Sequence, residues 1–456
     1  MKIKTLHLTN SWHETSGGIA TFYRALVAEA NLRGQEIRLV VPGETDRIEE
    51  IGEFAKIYHV KSRKAPMNTR YRMIFPNQFL PGGSTLQRIV TAERPDLVEI
   101  CDKYTLTYFG ALLRRGLLRG LDVRPAVVGL SCERMDDNFR SYIGRVPLAS
   151  KFCAAYMKWL YFPFFDHHIA NSAYTAEELR CASQGHLIQR NVWIRPMGVD
   201  IAHLSPNRKS AARREKFLQL CDGRPDSLLL IYAGRLVPEK NLALLFELIR
   251  RLARDGERDY RLLVAGDGME RRKWEEFCKR EAPGRVTFLG HLKSAEELGD
   301  LLANADVFVH PNPREPFGIA PLEAMASGLP LVAPDSGGVT SYANATNAWL
   351  ASADVESFVR AMESVLSEGS QRERRVSEAL KTAAEFRWDA VAPRFLDLYA
   401  ELCASVALGI NALPRADFSS TPVEGLELAW FRGVSQSAEK VFSFASNLFG
   451  RASTGS

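Results

Sequence analysis

HPNPREPFGIAPLEAMASG (His310–Gly328) carries two glutamates, Glu315 and Glu323, on either side of a turn rich in Pro and Gly. The apolar run DVFVH (Asp306–His310) before the turn reads as a buried strand. IAPLEAMA after it reads as a helix that begins near Gly318 or Ile319, with Pro321 in the first turn, where a missing N–H is tolerated. LPLVAP then returns as another strand. This is a strand–turn–helix–strand unit, the mark of a parallel sheet with crossover helices. Upstream, LLLIYAG, RLLVAG and VTFLG repeat the rhythm. Such short, unbroken apolar strands are buried on both faces. Ser294 and Glu297 form a candidate capping box ahead of another helix.

The first half of the chain has the same organisation. Ile3–Thr9 reads as a strand, and Ile19, Phe22, Tyr23, Leu26, Val27 and Ala30 recur at helical spacing until Gly34. IRLVVPG, DLVEI, AVVGL and HHIAN follow as strands. The expected class is α/β: two Rossmann-like, doubly wound domains facing one cleft, with ligands at the C-terminal ends of the strands. The expected division is 1–195, a linker at 196–226, a second domain at 227–385, a closing helix at 386–403 and a tail at 404–456. In the tail, Trp430, Phe431, Val434, Ala438, Val441, Phe442, Ala445, Leu448 and Phe449 form an amphipathic stripe.

Composition narrows the class. At 456 residues, 46% apolar and 25% charged, the chain is an ordinary globular protein. A net charge of +5 over that length does not call for a nucleic-acid partner. The 7 cysteines are scattered without a CxxC pair, which disfavours a zinc or disulfide framework and suits a reducing cytosol. No signal peptide and no spanning helix are expected. From Phe54 to Ala92 there is no acidic residue, yet Lys56, Lys61, Arg63, Lys64, Arg70, Arg72 and Arg88 occur.

Three features fall at expected strand ends. SGG (Ser16–Gly18) opens the first helix, where glycine lets a backbone approach a phosphate; a plain tight turn is the alternative. AGRLVPEKN places Arg235 and Lys240 where two cations suit a diphosphate, the alternative being a solvated pair with Glu239. In the opening stretch, the free N–H groups of Phe317, Gly318, Ile319 and Ala320 can hold an anion. Carboxylates accept several hydrogen bonds, so Glu315 and Glu323 could read a hexose and a ribose on the two sides of that anion.

These stretches together, with ANSAYTAEEL, RPMGVD and GGIATFYRALVAEANLRG, closely resemble the retaining, GT-B-fold nucleotide-sugar glycosyltransferases of family four, up to about Cys403. The resemblance implies a metal-independent hexosyl transfer, mannose or glucose in type, without a cofactor, from a nucleoside-diphosphate sugar to a hydroxyl acceptor. It makes Arg235 and Lys240 the diphosphate clamp, Glu315 the contact to the transferred sugar and Glu323 the holder of the ribose. Phe317–Ala320 would bind sugar and phosphate, Gly17 and Gly18 would close over the diphosphate, and Leu292 would border the base. An epimerase of the same fold, or a non-catalytic binding protein, remains an alternative.

One departure is visible. Where family members often carry a histidine after an N-domain strand, this chain has Ser131, Cys132 and Glu133. Glu133 or Asp136 could contact the acceptor, and Asp102, Lys103 and Tyr104, after DLVEI, could line its side. His7 and His310 read as core histidines, and Asp136–Asp137 is not a convincing metal pair. The expected acceptor is a glycolipid or saccharide of the cell envelope. The basic segment, FCAAYMKWLYFPFF (Phe152–Phe165) and the tail stripe permit peripheral attachment to an anionic membrane at its cytoplasmic face.

Overall fold

The computed structural model describes residues 2–13, 17–65, 71–80, 82–143, 147–185 and 192–407. Ser16, Arg70 and the tail stripe lie outside them. The first sheet holds β1 (Thr5–Thr9), β2 (Ile37–Gly43), β3 (Arg47–Ile51), β4 (Ala55–Lys61), β7 (Leu97–Cys101), β8 (Ala126–Ser131), β9 (His167–Ala170) and β10 (Val192–Ile194). A two-stranded ribbon of β5 (Arg63–Lys64) and β6 (Arg72–Met73) stands beside it. The order is β10-β9-β8-β7-β1-β2-β4-β3. All pairings are parallel except β3 with β4, a hairpin that the sequence reading did not anticipate. Its β3 strand, RIEEI, is almost wholly exposed and so lacks the apolar run of a buried strand.

The second sheet holds β11 (Leu228–Ala233), β12 (Tyr260–Ala265), β13 (Val286–Gly290), β14 (Val307–Val309), β15 (Leu331–Pro334) and β16 (Trp349–Ala351). Its order is β13-β12-β11-β14-β15-β16, all parallel. The fold is GT-B: two Rossmann-like sheets flanked by helices, with their C-terminal strand ends towards a common gap. The order places β11 beside β14, and that adjacency brings Arg235–Lys240 next to His310–Glu323.

The closing helix, Trp388–Ala407, passes Cys403 and belongs to the other half. Phe395 packs on Phe22 at 4.8 Å between ring centroids, and Asp397 pairs with Arg33 at 2.5 Å. Tyr399 donates to Glu99, which lies wholly inside the first domain and also receives Tyr23 (2.8 Å) and His7 (3.1 Å). The apolar periodicity that marks this helix is therefore satisfied by the N-terminal sheet rather than by the second half.

Candidate active site

The β14–helix turn is built around two glycines. Gly318, at φ 91°, caps the helix Ile319–Ala326 in a left-handed conformation that side-chain-bearing residues avoid. Gly338 lies under the turn: a Cβ there would sit 2.0 Å from the Pro316 carbonyl oxygen, and its N–H donates to Glu315 O at 2.6 Å. Tyr342 OH donates to Gly318 O from below. Among the described residues, none of the Phe317, Gly318, Ile319 and Ala320 N–H groups donates to another protein group. They form an anion cradle at the positive end of the helix.

Lys240 Nζ donates to both Glu315 oxygens at 2.8 and 2.9 Å, and Asn312 adds a third bond at 3.0 Å. Burial alone would raise the Glu315 carboxyl, but Lys240, His310 and Asn312 together hold it down at about 2. Glu315 is thus an anion at neutral pH, only 8% exposed. His310 is buried, as a core histidine would be, yet its Nε2 lies 3.7 Å from Glu315 and has no hydrogen-bond partner. Burial lowers its pKa to about 4 against the pull of Glu315, so it is a neutral ring within the site. The sequence reading missed it because an apolar strand precedes it.

Glu323 differs in kind. It is partly buried, and its carboxyl has no hydrogen-bond or ion-pair partner among the described residues. Burial, then the negative Asp200, push it up to about 7. Burial, then Glu315 and Glu323, push the Tyr342 phenol up. Arg235 is 51% exposed and pairs with Glu239 at 3.1 Å. The solvated pair expected as an alternative is therefore formed, with the guanidinium still open to the gap. Leu292 is partly buried and packs against the core beside β13.

The N-terminal domain reaches this site at several points. Gly18 abuts the helix start: a Cβ there would lie 2.5 Å from Ile319 Cδ1. Gly17 is exposed with open space beside it. Ser172 Oγ donates to Pro316 O at 2.5 Å, Tyr142 OH to Glu239 at 2.8 Å, and Arg314 pairs with Asp137 at 3.4 Å.

The acceptor-side candidates divide. Asp102 is corrected to a structural role: it accepts the N–H groups of Tyr104, Thr105 and Leu106 at 3.0, 2.6 and 2.8 Å, and Asn10 Nδ2 at 3.0 Å. Lys103 is corrected likewise: it is 1% exposed and binds Glu178 and the Glu133 carbonyl, both at 2.5 Å. Asp136 is paired with Arg134 at 2.7 Å, which outweighs burial and lowers its pKa. Strand-end position marked Asp102 and Lys103, but their polar atoms are consumed by the loops that they organise, whereas the Asp136 side chain stays 36% exposed. Tyr104 and Glu133 are partly buried and share Asn138, which donates to each, at 2.9 and 2.8 Å. Burial raises the Glu133 carboxyl. Cys132 is partly rather than fully buried and packs on the core. No cluster of three or more His, Cys, Asp or Glu suited to a metal occurs among the described residues.

Comparison with known proteins places the chain in a family. Residues 16–203 match the family described as Glycosyltransferase Family 4, and residues 222–382 match Glycosyl transferases group 1. A GDP-mannose-dependent alpha-(1-6)-phosphatidylinositol dimannoside mannosyltransferase of Mycobacterium tuberculosis is 26% identical over 89% of this chain and 98% of its own length. A GDP-mannose-dependent alpha-mannosyltransferase of the same species is 30% identical over 65% of this chain and 68% of its own. Among solved structures, sucrose-phosphate synthase from Thermosynechococcus elongatus superposes with a TM-score of 0.69 at 18% identity, covering 88% of this chain and 100% of that one. Anabaena HepE, solved with UDP and glucose, gives 0.64 at 17% identity, covering 88% and 100%.

Proposed function

Since the chain belongs to glycosyltransferase family 4 and is a hexosyltransferase that uses a nucleoside-diphosphate sugar, we propose that it moves mannose from GDP-mannose to a hydroxyl of a lipid-linked saccharide, keeping the α configuration. The observation that carries this reading is the pairing of Lys240 with Glu315 beside four undonated N–H groups and an unpartnered Glu323.

A bound diphosphate takes Lys240 and Arg235 from their carboxylate partners and receives the Phe317–Ala320 amides. As the anomeric bond breaks, the leaving phosphate gains charge, and these groups stabilise it as it develops. Glu315 is then free to accept hydroxyls of the hexose, and Glu323 those of the ribose. The acceptor oxygen attacks the same face, and its proton passes to the leaving phosphate oxygen. Cations and amides meet the whole charge change, so the reading calls for no cofactor. The test is product analysis with GDP-mannose, GDP-glucose, UDP-glucose and UDP-galactose, with and without EDTA. Transfer from GDP-mannose with retention, unaffected by EDTA, is expected. Preference for a uridine donor, inversion, or epimerised donor without acceptor would overturn it.

A peripheral membrane contact belongs to the same proposal. Between Asn138 and Phe165 there is no acidic residue, while Arg140, Arg145, Lys151 and Lys158 occur. On this segment Phe152 is 42% and Trp159 62% exposed, and Lys158 lies 5.0 Å from the Trp159 ring. Exposed aromatics among cations suit an anionic bilayer surface. In the basic 54–92 segment, by contrast, Lys56 and Arg72 are paired with Glu50 and Glu44. No helix among the described residues is long and apolar enough to cross a membrane. Co-sedimentation with phosphatidylglycerol vesicles should fall on replacing Trp159 with Ala; equal binding to phosphatidylcholine would remove the electrostatic part.

A further inference from the structure

Tyr104 and Glu133 keep polar atoms that the fold does not use, and one amide sets the two side by side. Asn138 Nδ2 donates to Tyr104 OH at 2.9 Å and to Glu133 Oε2 at 2.8 Å. An ionised carboxylate only accepts, so the amide turns its nitrogen to Glu133, and Tyr104 OH accepts the second N–H. The phenol's own hydrogen then has no acceptor among the described residues, and Glu133 Oε1 has no donor. Both residues are partly buried, and an open donor beside an open acceptor at such a place calls for a partner.

The groups that fold Asp102 and Lys103 inward also hold this pair still. Lys103 Nζ binds Glu178 and the Glu133 carbonyl, both at 2.5 Å, and Ser131 Oγ donates to that carbonyl at 3.2 Å. Glu178 in turn accepts the Met135 N–H at 2.7 Å, and Asp102 accepts the Tyr104 N–H at 3.0 Å. The helix Met135–Ile143 then carries the scaffold to the gap. Asn138 and Tyr142 are one turn apart on the same face of it. Tyr142 OH donates at 2.8 Å to Glu239, the partner of Arg235, and Asp137 pairs at 3.4 Å with Arg314, the residue before Glu315. The Tyr104–Glu133 pair is thus fixed to a helix that touches the donor side at two points.

Resting on the function proposed above, we propose that Glu133 and Tyr104, spaced by Asn138, bind one ring hydroxyl of the acceptor saccharide. That hydroxyl donates to Glu133 Oε1 and accepts the Tyr104 phenol hydrogen. A hydroxyl is donor and acceptor in one atom, so it meets both open positions at once. A phosphate or carboxylate would meet the Glu133 charge, and an apolar group would leave both positions unmet. Glu315 serves the transferred hexose from the other domain, which leaves this wall to the acceptor. The bound hydroxyl is a neighbour of the attacking one, because the attacking hydroxyl gives its hydrogen to the leaving phosphate oxygen. Glu133 and Tyr104 therefore orient the acceptor ring and select its stereochemistry.

The test uses the full chain, GDP-mannose, octyl α-D-mannoside and the singly deoxygenated analogues of that acceptor. Glu133→Gln and Tyr104→Phe should each raise the acceptor KM about tenfold while the donor KM moves less than about twofold. The one analogue that lacks the bound hydroxyl should bind the wild-type chain about tenfold more weakly and lose nothing further in either variant. A merely loosened fold cannot single out one analogue in this way. The inference is overturned if both variants keep the wild-type acceptor KM, or if they lose the same factor against every analogue. A rise in donor KM instead of acceptor KM also overturns it, since the hydroxyl would then belong to the transferred hexose. If Glu133→Gln does not fold, Tyr104→Phe against the analogue series carries the same comparison. If the wild-type chain binds GDP-mannose but does not mannosylate octyl α-D-mannoside, the functional reading fails, and this inference fails with it.

Discussion

In the C-terminal domain the groups proposed to meet the donor come from two short runs, Arg235–Lys240 and Glu315–Glu323, at the ends of adjacent strands β11 and β14. In the N-terminal domain the groups that reach across the gap are Gly18, Asp137, Tyr142 and Ser172, drawn from separate segments. The donor side is charged, internally paired and framed by glycines. The opposite wall meets it through single contacts, one each to Ile319, Arg314, Glu239 and the Pro316 carbonyl. A diphosphate is a fixed chemical demand and can be met by a fixed motif. A hydroxyl acceptor differs between enzymes, and a wall assembled from loops can change without disturbing the sheet.

The sharpest way to break this contrast is Lys240→Ala. It removes the central cation from the clamp, and kcat/KM should fall about 10²–10³-fold or more, as when a positioned transition-state donor is lost. Glu315 would keep its burial without its main counter-charge. Its folded pKa of about 2 lies below the ordinary 4.5, so its contribution to stability is present above pH 4.5 and lost as pH falls through about 2. The variant should therefore melt lower than wild type at pH 7, with the gap narrowing in acid. Turnover near wild type would dissolve the donor side of the comparison.

Gly338→Ala tests whether the cradle is a backbone device. The added Cβ meets Pro316 O at 2.0 Å, a carbonyl that cannot swing aside as a side chain can. Loss of donor binding with a destabilisation of ~1–3 kcal/mol is expected, in the range of overpacking. Gly18→Ala makes a useful contrast, because its Cβ meets only the flexible tip of Ile319. It should weaken donor binding a few-fold and leave Tm nearly unchanged. Equal effects at the two glycines would show that the first domain's loop is as constrained as the donor turn.

These two domains were unequally legible in the sequence. β11, β12, β14 and β15 are largely apolar runs, and Glu315 and Glu323 are separated by a turn with its own signature, so both the fold and the candidate donor residues could be read from local pattern. Lys240 could be placed near Glu315 only by assuming that their strands are neighbours. Tyr104 and Glu133 could not be paired at all: no local pattern joins them, and the Asn138 bond to Tyr104 that brings their loops together spans 34 positions. Asp102 and Lys103 misled for the opposite reason, since a polar residue after a strand reads the same whether it faces a ligand or caps a loop. The closing helix has the right apolar stripe, but nothing local says which sheet receives it.

Glu323→Gln should have a smaller, pH-dependent effect. Its folded pKa, raised to about 7 from 4.5, means that the proton is bound more tightly in the fold. The associated stability is fully present below pH 4.5 and lost as pH rises through 7. The uncharged glutamine escapes that loss, so the variant should gain ~1–3 kcal/mol over wild type at pH 8 and little at pH 4. Donor binding should move oppositely. The ionised carboxylate is the better acceptor for ribose hydroxyls, so wild-type donor KM should fall from pH 6 to 8. The variant should show a flat profile at a KM about tenfold higher.

The mildest test is Tyr142→Phe, which touches the seam between the domains. Tyr142 donates to Glu239 at 2.8 Å, and Glu239 pairs with Arg235 at 3.1 Å, so a phenol of the acceptor half helps occupy the carboxylate that competes for the clamp. Removing the hydroxyl leaves Glu239 free to hold Arg235 more firmly. The donor must then separate a stronger pair, at a disadvantage of about 1 kcal/mol for one lost hydrogen bond. Donor KM should rise roughly three- to tenfold with kcat nearly unchanged, because Lys240 and the amides still meet the developing charge. A fall in kcat instead would mean that the Tyr142 contact sets domain closure, and the boundary between the donor side and the acceptor half would have to be redrawn through Glu239.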